Sequence, residues 1–357
     1  MQQIDSLRQQ ILSAADEKRS LRIRGGGTKD WYGGALVGDI LDMRPLAGII
    51  DYEPTELVIT ARSGTPLADI EAALLEHNQM LAFEPPYFGD GATLGGAVAA
   101  GLSGPRRATS GAVRDFVLGA VLMDGRGEVL NFGGQVMKNV AGYDVSRLLA
   151  GSMGTLGVML QHSLKVLPRP VMEATLRFEM SEIEAIAKLN AWGGLPLPLS
   201  ASCWFDGVLT LRLSGAAAAV DAALKWFGGE LVDGAAADAF WASLREQRHD
   251  FFKDAGNLWR LSVPSVTGAL ILEGRQLIEW GGAQRWLKAP AGDAALQANT
   301  IRASVRAAGG HATLFRKEEG SAAIPVFEPL APAIARIHER LKAAFDPAHI
   351  FNPGRLF

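Results

Sequence analysis

Apolar and polar positions recur with two different periods in the first part of the chain. Ile4, Leu7, Ile11 and Leu12 are spaced as on one face of a helix, which predicts a short amphipathic helix at the start. Compact apolar runs bounded by glycine, proline or charged residues predict short strands, at 21–24, 39–43, 46–50 and 57–62. Residues 116–132, centred on Asp124-Gly125-Arg126-Gly127, predict a β-hairpin. This mixture predicts an α+β fold.

The pattern changes after residue 170. A strand, a helix, two strands, a helix and a strand follow in the order of a βαββαβ unit, at 174–180, 182–191, 202–213 (with a turn at Asp206-Gly207), 216–227 and 229–232. A second set consists of a helix at 236–252, strands near 258–263 and 276–287, a helix at 293–308, a strand at 311–315 and a helix at 330–345. The two sets predict two related α+β modules.

Two closely spaced prolines, Pro168 and Pro170, mark a boundary between these regions. A chain of 357 residues is long enough for two domains. We expect a first domain over 1–170, with subdomains of about 1–54 and 55–170. A second domain is expected over 171–345, and the tail 346–357 is expected to return to the first domain.

Three glycine-rich segments carry the candidate chemistry of the first domain: Arg24-Gly25-Gly26-Gly27-Thr28, the run from Thr93 to Gly101, and the run from Gly151 to Val158. Glycine permits positive φ and lets a diphosphate approach backbone N–H groups. One such segment alone would be an ordinary tight turn, but three of them indicate a single large phosphorylated cofactor. Neither a Gly-x-Gly-x-x-Gly fingerprint nor a Gly-Lys-Ser/Thr loop occurs, so the usual dinucleotide and NTPase motifs are excluded.

The order of these segments resembles the FAD-binding domain of the vanillyl-alcohol oxidase / p-cresol methylhydroxylase superfamily. The run Lys138-Asn139-Val140-Ala141-Gly142-Tyr143-Asp144 and the closing His349-Ile350-Phe351-Asn352-Pro353-Gly354-Arg355 are similar to its D-lactate and glycolate dehydrogenase branch. The resemblance covers about residues 20–170 and the last dozen residues. It implies a two-part FAD-binding domain of the p-cresol methylhydroxylase type followed by an α+β, ferredoxin-like cap domain, and not a Rossmann fold.

The glycine segments and the resemblance together assign FAD binding to Arg24, Gly25, Gly26, Gly27, Thr28, Thr93, Leu94, Gly95, Gly96, Ser103, Gly104, Gly111, Tyr143, Gly154, Thr155, Gly157 and Val158. Some relatives bond the flavin covalently to a histidine of the first loop. No histidine lies between Met1 and Glu76, so non-covalent FAD is expected. Most relatives carry an acidic residue where this chain has Met153, so one charged contact is expected to be missing.

Composition excludes several classes of function. The formal net charge of −3, without a dense basic cluster, indicates no nucleic-acid partner. The single cysteine, Cys203, excludes an intrachain disulfide and an iron–sulfur cluster held by this chain alone. Residues 1–17 carry charges throughout, unlike a signal peptide, and no run approaches the ~20 apolar residues of a membrane span. We expect a cytoplasmic protein that reaches the inner membrane only peripherally, through partners.

Catalytic residues are not identified by the sequence. Catalytic relatives carry a His-x-His pair and a Gly-Glu-His-Gly motif in the cap domain, which contact substrate and in some hold a divalent metal. None of the six histidines here is close to another in sequence, so no metal site is expected. His311 and Arg316 are the candidates for substrate contact. The alternatives are a structural histidine and a solvated arginine at a strand end.

The leading hypothesis is an FAD-binding subunit of a complex that oxidises glycolate, or a similar 2-hydroxy acid such as D-lactate, to the 2-oxo acid. The resemblance implies two partners that receive or supply electrons, a larger FAD-containing catalytic subunit and an iron–sulfur subunit. Two alternatives stay open: a self-sufficient flavin-dependent alcohol or hydroxy-acid dehydrogenase, and a non-catalytic assembly subunit with a structural FAD site.

Overall fold

The computed structural model describes residues 2–134, 144–253, 255–290, 292–318 and 324–356. Within these residues the strands are β1 (Leu21–Arg24), β2 (Asp39–Asp42), β3 (Ile49–Glu53), β4 (Val58–Arg62), β5 (Gln79–Met80), β6 (Val117–Met123), β7 (Val129–Gly133), β8 (Val158–Lys165), β9 (Leu167–Pro168), β10 (Met172–Glu179), β11 (Leu199–Phe205), β12 (Val208–Gly215), β13 (Glu230–Val232), β14 (Leu258–Ser262), β15 (Arg275–Glu279), β16 (Gln284–Lys288) and β17 (His311–Arg316).

The helices in the same residues are α1 (Gln2–Asp16), α2 (Leu67–Glu76), α3 (Leu94–Ala100), α4 (Arg107–Ser110), α5 (Val113–Phe116), α6 (Val145–Leu148), α7 (Glu182–Gly193), α8 (Ala217–Phe227), α9 (Gly234–Arg245), α10 (Asp250–Lys253), α11 (Ala294–Ala307) and α12 (Pro332–Phe345), with a 3-10 helix at Trp280–Gly282. No helix in the described ranges is long and apolar enough to cross a membrane.

The chain forms two compact units. Unit 1 contains Met1–Ser103, Gly111–Arg169 and Pro329–Phe357, and unit 2 contains Gly104–Ser110 and Pro170–Glu328. Helix α12 thus lies in unit 1, whereas the sequence pattern grouped it with the second region. The helix belongs to unit 1 because Leu341 and Phe345, in its last turns, pack against the main hydrophobic core of that unit.

Unit 1 is built on an antiparallel five-stranded sheet in the order β3-β4-β8-β6-β7. One face packs against α2 and α3 in a core that includes Leu74, Val98 and Leu164. The other face packs against α1 and the parallel pair β1-β2, in a core that includes Ile11 and Leu160. Because both faces are covered, the central strands are apolar on both sides and show little alternation.

The strand predicted at 46–50 is wrong in its bounds, since the observed strand is β3 (Ile49–Glu53). The N–H of Leu46 donates to the carbonyl oxygen of Met43 at 3.0 Å, which makes a turn there. Gly48 then has a φ of 122°, outside the range of a strand. The apolar run therefore spans a turn and only the first residues of a strand.

Unit 2 contains one antiparallel eight-stranded sheet in the order β13-β10-β12-β11-β15-β16-β14-β17. It divides into two four-stranded modules joined by the pairing of β11 with β15. In each module the first strand lies between the third and the fourth, and the second strand is at the inner edge. The two modules therefore share one strand order, and the α+β class predicted from the sequence is confirmed.

The second module departs from the first in one crossover. Helix α7 connects β10 to β11, but residues 263–274, which connect β14 to β15, contain no helix. The fully buried Arg285 holds this loop instead: its guanidinium donates to the carbonyl oxygens of Gly268 (2.7 Å) and Thr267. Burial lowers the pKa of Arg285.

Two other predicted elements of unit 2 are interrupted. The helix predicted at 236–252 is divided into α9 and α10, and Gln247 between them has a φ of 52°. The strand region at 276–287 is divided into β15 and β16 by Trp280–Gly282, where Gly281 and Gly282 have φ values of 65° and 102°. Positive φ values end regular helices and strands, whatever the apolar pattern of the flanking residues.

Candidate cofactor site

The first glycine segment leaves β1 at Arg24 and presents unused backbone donors. Within the described ranges, no protein acceptor takes the N–H groups of Gly25, Gly26 or Gly27. Gly27 has a φ of 72°, and Arg24 Nε lies 2.8 Å from Asp30 Oδ2. Successive free N–H groups beside a guanidinium form a concave site for an anion such as a diphosphate.

The glycine requirement at Gly26 has an internal cause. A Cβ added there would overlap the carbonyl oxygen and carbon of Gly91, so Gly26 packs against another loop of the same unit. At Gly25 an added Cβ would overlap the hydroxyl of Thr93. These two glycines are therefore needed for loop packing in the protein itself, and their presence does not depend on the approach of a ligand.

The second segment begins α3, and the first N–H groups of this helix have acceptors within the protein. The N–H groups of Leu94 and Gly95 donate to the carbonyl oxygens of Thr65 (2.9 Å) and Ser63 (2.8 Å). The N–H of Gly96 donates to Thr93 Oγ1, the helix cap, at 3.2 Å. These three N–H groups are therefore not free to bind a phosphate.

Gly96 contributes space to the site. An added Cβ at this position would meet only Thr93 Oγ1, at 3.1 Å, and would otherwise project into open volume. Gly95 differs, because its Cβ would lie 2.6 Å from the Cβ of Ser63. Gly96 is therefore the glycine of this segment whose missing side chain leaves room for a ligand.

Ser63, which sequence reasoning missed, offers a polar group to the same space. It directly follows β4 and is only 3% exposed, and its hydroxyl has no hydrogen-bond partner among the residues that the structure describes. A buried unsatisfied hydroxyl is costly unless a ligand or water satisfies it. The only sequence signal was its position at the end of an apolar strand, before Gly64.

The third glycine segment forms a turn beside the first and second glycine segments. Thr155 Oγ1 donates to the carbonyl oxygen of Ser152 at 2.7 Å, and Met153 and Gly154 have φ values of 53° and 71°. Val158 begins β8 and is buried in the core against α1. Tyr143 lies outside the described residues.

Two adjoining cavities of about 90 and 60 Å³ lie among these segments. Of the predicted residues they are lined by Arg24, Gly25, Gly26, Gly27, Thr28, Thr93, Gly95, Gly96, Gly154 and Gly157. Residues that line them but were not predicted include Ile23, Met43, Ser63, Ala99, Met153, Asn352 and Arg355. The three segments of unit 1 thus come together, as one large cofactor would require.

The remaining predicted residues do not line these cavities. Leu94 and Thr155 are buried beside them, and Ser103 Oγ accepts the N–H of Val113 at 3.2 Å. Gly111 has a φ of 103° and packs against Asp115, while Gly104 belongs to unit 2. Their assignment to FAD stays a prediction.

The C-terminal tail closes one side of the site. Asn352 Oδ1 accepts the N–H of Ile23 at 2.8 Å, and its Nδ2 donates to the carbonyl oxygen of Met153 at 2.6 Å. The buried Arg355 donates to the carbonyl oxygens of Asp30, Tyr32 and Gly34, which follow the first glycine loop. The tail therefore ties the first and third segments together.

A buried lysine connects α12 to the same region. Lys342 Nζ donates to Asp346 Oδ2 (2.6 Å) and to the carbonyl oxygens of Thr155 and Phe351 (both 2.7 Å). Asp346 in turn accepts the N–H groups of Ile350 and Phe351. Desolvation lowers the pKa of Lys342, against the raising effect of Asp346. The buried ion pair of Lys342 and Asp346 thus satisfies two backbone carbonyl groups and two backbone N–H groups.

The two candidates for substrate contact are not brought together. His311 and Arg316 begin and end β17, so four residues lie between them and their Cα atoms are about 16 Å apart. Arg316 Nε donates to Gln247 at 3.0 Å, and burial lowers the pKa of Arg316 to about 10. Burial and the nearby Arg260 lower the pKa of His311. In the described part of the chain no three His, Cys, Asp or Glu side chains form a metal-binding group.

Comparison with known proteins agrees with this site. Residues 2–133 match a protein family described as FAD binding domain. Over 352 residues the chain is 49% identical to the glycolate oxidase subunit GlcE of Escherichia coli, an alignment that covers 99% of this chain and 97% of that protein. Among solved structures, an alkyldihydroxyacetonephosphate synthase is similar with a TM-score of 0.66 and 14% identity, over 99% of this chain and 76% of that chain.

Two further relatives match only part of the chain. The glycolate oxidase subunit GlcD of Bacillus subtilis is 29% identical over 182 residues, and the D-lactate dehydrogenase of Archaeoglobus fulgidus is 34% identical over 165 residues. These alignments cover 50% and 44% of this chain, but only 38% and 36% of those longer proteins.

The fold, the glycine-lined site and these similarities define an FAD-dependent oxidoreductase, and the expectation of FAD is confirmed. The free N–H groups of the first loop, the unsatisfied Ser63 hydroxyl and the open side of Gly96 fit this cofactor. The chain belongs to the family of the glycolate oxidase subunit GlcE.

Proposed function

We propose that this protein is the FAD-carrying subunit of a complex that oxidises glycolate, or a similar 2-hydroxy acid such as D-lactate, to the 2-oxo acid. The observation that carries the proposal is the similarity to GlcE, which extends over almost the whole length of both proteins. The partners would be a larger FAD-containing subunit, related to this chain in its FAD-binding half, and an iron–sulfur subunit. The complex would reach the inner membrane only through those partners.

Unit 1 would hold the cofactor through its own backbone and small residues. The N–H groups of Gly25, Gly26 and Gly27, with Arg24, would bind the diphosphate. Ser63 would donate a hydrogen bond, and Gly96 would leave the necessary room. Bound FAD supplies a two-electron acceptor for a hydroxy acid and can pass single electrons onward. The residues of this chain would orient it and shield it from water.

We propose that this chain relays electrons and that the larger partner is the main catalyst. His311 and Arg316, the residues of β17 considered for substrate contact, lie at opposite ends of the strand. The chain contains one cysteine, Cys203, which is buried, so the onward iron–sulfur path requires another subunit. A relay of this kind needs a firmly held flavin but no substrate base of its own.

The test is anaerobic addition of glycolate to the purified, flavin-loaded chain, followed by addition of the partner subunits. Visible absorbance reports reduction of the flavin. We expect the flavin to stay oxidised with the chain alone and to bleach when the partners are present. Bleaching by glycolate without partners would instead support a self-sufficient dehydrogenase. A flavin that stays oxidised in a complex that turns over glycolate would support a structural FAD site.

A further inference from the structure

Unit 2 contains a cavity of about 590 Å³ that belongs to no site described above. Residues of β10, β11, β12 and β13 line it, together with Phe240 and His249. Its volume is in the range of pockets that bind small molecules. It is formed entirely by residues of the first α+β module and the segment that follows it, so it is present whatever unit 1 binds.

Arg177 is the main charged group of this cavity. It is half-buried on β10, and within the described residues its guanidinium has neither a hydrogen-bond acceptor nor an ion-pair partner. Its guanidinium lies 5.8 Å from the centroid of the Phe240 ring, and Glu230 is its partner position on the neighbouring strand β13. A guanidinium that is partly removed from water without an acceptor is poised to bind a carboxylate in a bidentate manner.

Uncharged polar groups and aromatic rings complete the interior. His249 Nδ1 accepts the N–H of Phe251 at 3.3 Å, which leaves the other ring nitrogen for a ligand. Burial is the largest cause that lowers the pKa of His249; the nearby Asp250 opposes it, and nearby cations add to it. Its ring packs edge-on against Phe205 and Phe240, with centroids 5.3 and 5.6 Å away. Thr210 adds a hydroxyl at the floor.

Three exposed carboxylates, Glu179, Asp206 and Glu230, stand at the rim of the cavity. Among the lining residues these three carboxylates outnumber the one cation, Arg177, and a second cation, Arg275, lies beside the cavity over the ring of Phe205, 5.0 Å from its centroid. A ligand with one carboxylate can pair with Arg177 while its remainder stays neutral. A second carboxylate or a phosphate would meet like charge at the rim, which opposes binding.

We propose that this cavity binds the carboxylate of a small monocarboxylic 2-hydroxy or 2-oxo acid, with Arg177 as the anion-pairing residue. That the acid is a 2-hydroxy or 2-oxo acid rests on the proposed function. That it carries one carboxylate and not two follows from the three carboxylates at the rim of the cavity. The hydroxyl or keto group of the acid then faces His249 and Thr210.

The test measures equilibrium binding of radiolabelled glycolate and of 2-hydroxyglutarate to the purified, flavin-loaded chain by dialysis. We expect glycolate to bind, 2-hydroxyglutarate to bind at least about tenfold more weakly, and Arg177→Met to weaken glycolate binding by about 10- to 100-fold. Arg177→Lys should retain part of the affinity. Arg260→Met, which removes an arginine from the same sheet outside the cavity, is the matched control and should bind as the parent does.

Two results overturn the proposal: equal glycolate binding by the parent and Arg177→Met, or no glycolate binding by the parent with its flavin spectrum intact. Neither result affects the proposed function, which is decided by flavin reduction in the presence of partners. Conversely, a complex that does not oxidise 2-hydroxy acids refutes the proposed function, and Arg177-dependent binding of glycolate would still stand.

Discussion

Glycine is required at neighbouring positions of the cofactor site for different physical reasons. Gly26 is needed because the carbonyl group of Gly91 occupies the place of a side chain. Gly27 is needed because its φ is 72°, a value that other residues rarely adopt. Gly96 has ordinary helical geometry and an open side toward the cavity. Substitutions at these positions therefore have separable effects on folding and on cofactor binding.

Gly96→Val should abolish flavin retention while the apoprotein still folds. The added Cβ meets only Thr93 Oγ1 among the described residues, and Gly96 lines both cavities, so the side chain takes up cavity volume. The measurement is the ratio of flavin to protein absorbance after purification, with the unfolding midpoint of the apoprotein as the check on folding. Gly193→Val, at an open position in unit 2, should keep its flavin. A Gly96→Val protein that purifies with full flavin would refute this role.

Ser63→Ala should weaken FAD binding by about fivefold, as expected for the loss of one hydrogen bond of about 1 kcal/mol. The free energy of unfolding of the apoprotein should not fall, because the hydroxyl has no partner in the protein. Fluorescence titration with FAD and urea unfolding measure the two quantities.

Thr65→Val is the contrasting variant for Ser63→Ala. Thr65 is also buried, but its hydroxyl donates to the carbonyl oxygen of Arg62 at 2.7 Å and accepts the N–H of Gly48 at 2.9 Å. It should lower the free energy of unfolding by about 1–2 kcal/mol. If Ser63→Ala destabilised the apoprotein as much as Thr65→Val does, the hydroxyl of Ser63 would have an internal role instead.

At the scale of elements, the C-terminal tail and α12 hold the glycine segments of the cofactor site in place, although they contribute few side chains to its lining. Leu21 pairs with Phe351 in a parallel bridge, so the tail runs beside β1 like an added strand. Lys342 links the helix to the third glycine segment through Thr155. Elements more than three hundred residues apart in sequence are adjacent in unit 1. Backbone and buried ionic contacts hold them there.

Asn352→Ala should both destabilise unit 1 and weaken FAD binding. It removes the partners of the Ile23 N–H and the Met153 carbonyl, so we expect a loss of about 2–3 kcal/mol in the free energy of unfolding. Urea unfolding and the rate of flavin release measure the two effects. Pro353→Ala, at the next residue, should change both much less. An unchanged flavin release rate in Asn352→Ala would mean that the tail supports the fold but not the cofactor site.

At the scale of the whole molecule, one fully buried histidine should make stability depend on pH, in the same direction as the lowered pKa values of His249 and His311. His162 on β8 is fully buried between Ala61 and Ala120 of the neighbouring strands, and in the described part of the chain neither ring nitrogen has a hydrogen-bond partner. Burial lowers the pKa of His162 to about 4, from 6.5. Between these values the unfolded chain binds the proton and the folded chain does not. Folding stability therefore falls as the pH falls from 6.5 toward 4.

His162→Gln should remove this part of the pH dependence. The full window corresponds to about 3 kcal/mol for the parent protein, because one pKa unit equals about 1.4 kcal/mol. Urea unfolding at pH 7 and pH 4.5 should show a smaller loss of stability in the variant than in the parent. His77→Gln, at an exposed histidine of unit 1, should retain the parent's loss. The same loss in His162→Gln and the parent would show that other groups account for the acid sensitivity.

In unit 2 the order of strands and helices could be predicted from the sequence, but the breaks within predicted elements could not. The turn at Asp206-Gly207 and the βαββαβ order were visible because loop residues interrupt the apolar runs there. The break at Trp280–Gly282 and the loop that replaces a crossover helix were not visible. Both depend on contacts distant in sequence: Ser202 Oγ accepts the N–H of Gly281 at 3.0 Å, and Arg285 binds the loop carbonyls.

What the sequence determined by itself was the α+β class and the three glycine segments; FAD as the cofactor followed from the resemblance of their order to a known FAD-binding domain. The first two features are local, since the spacing of apolar residues and the conformational freedom of glycine act within a few residues. Only the tertiary structure decided which groups serve the site. In the folded chain the N–H groups of Leu94, Gly95 and Gly96 have internal acceptors, the hydroxyl of Ser63 is buried beside the cavity without a partner among the described residues, and Asn352 lies against β1. Whether a donor remains free depends on its neighbours in space, which the chain acquires only on folding.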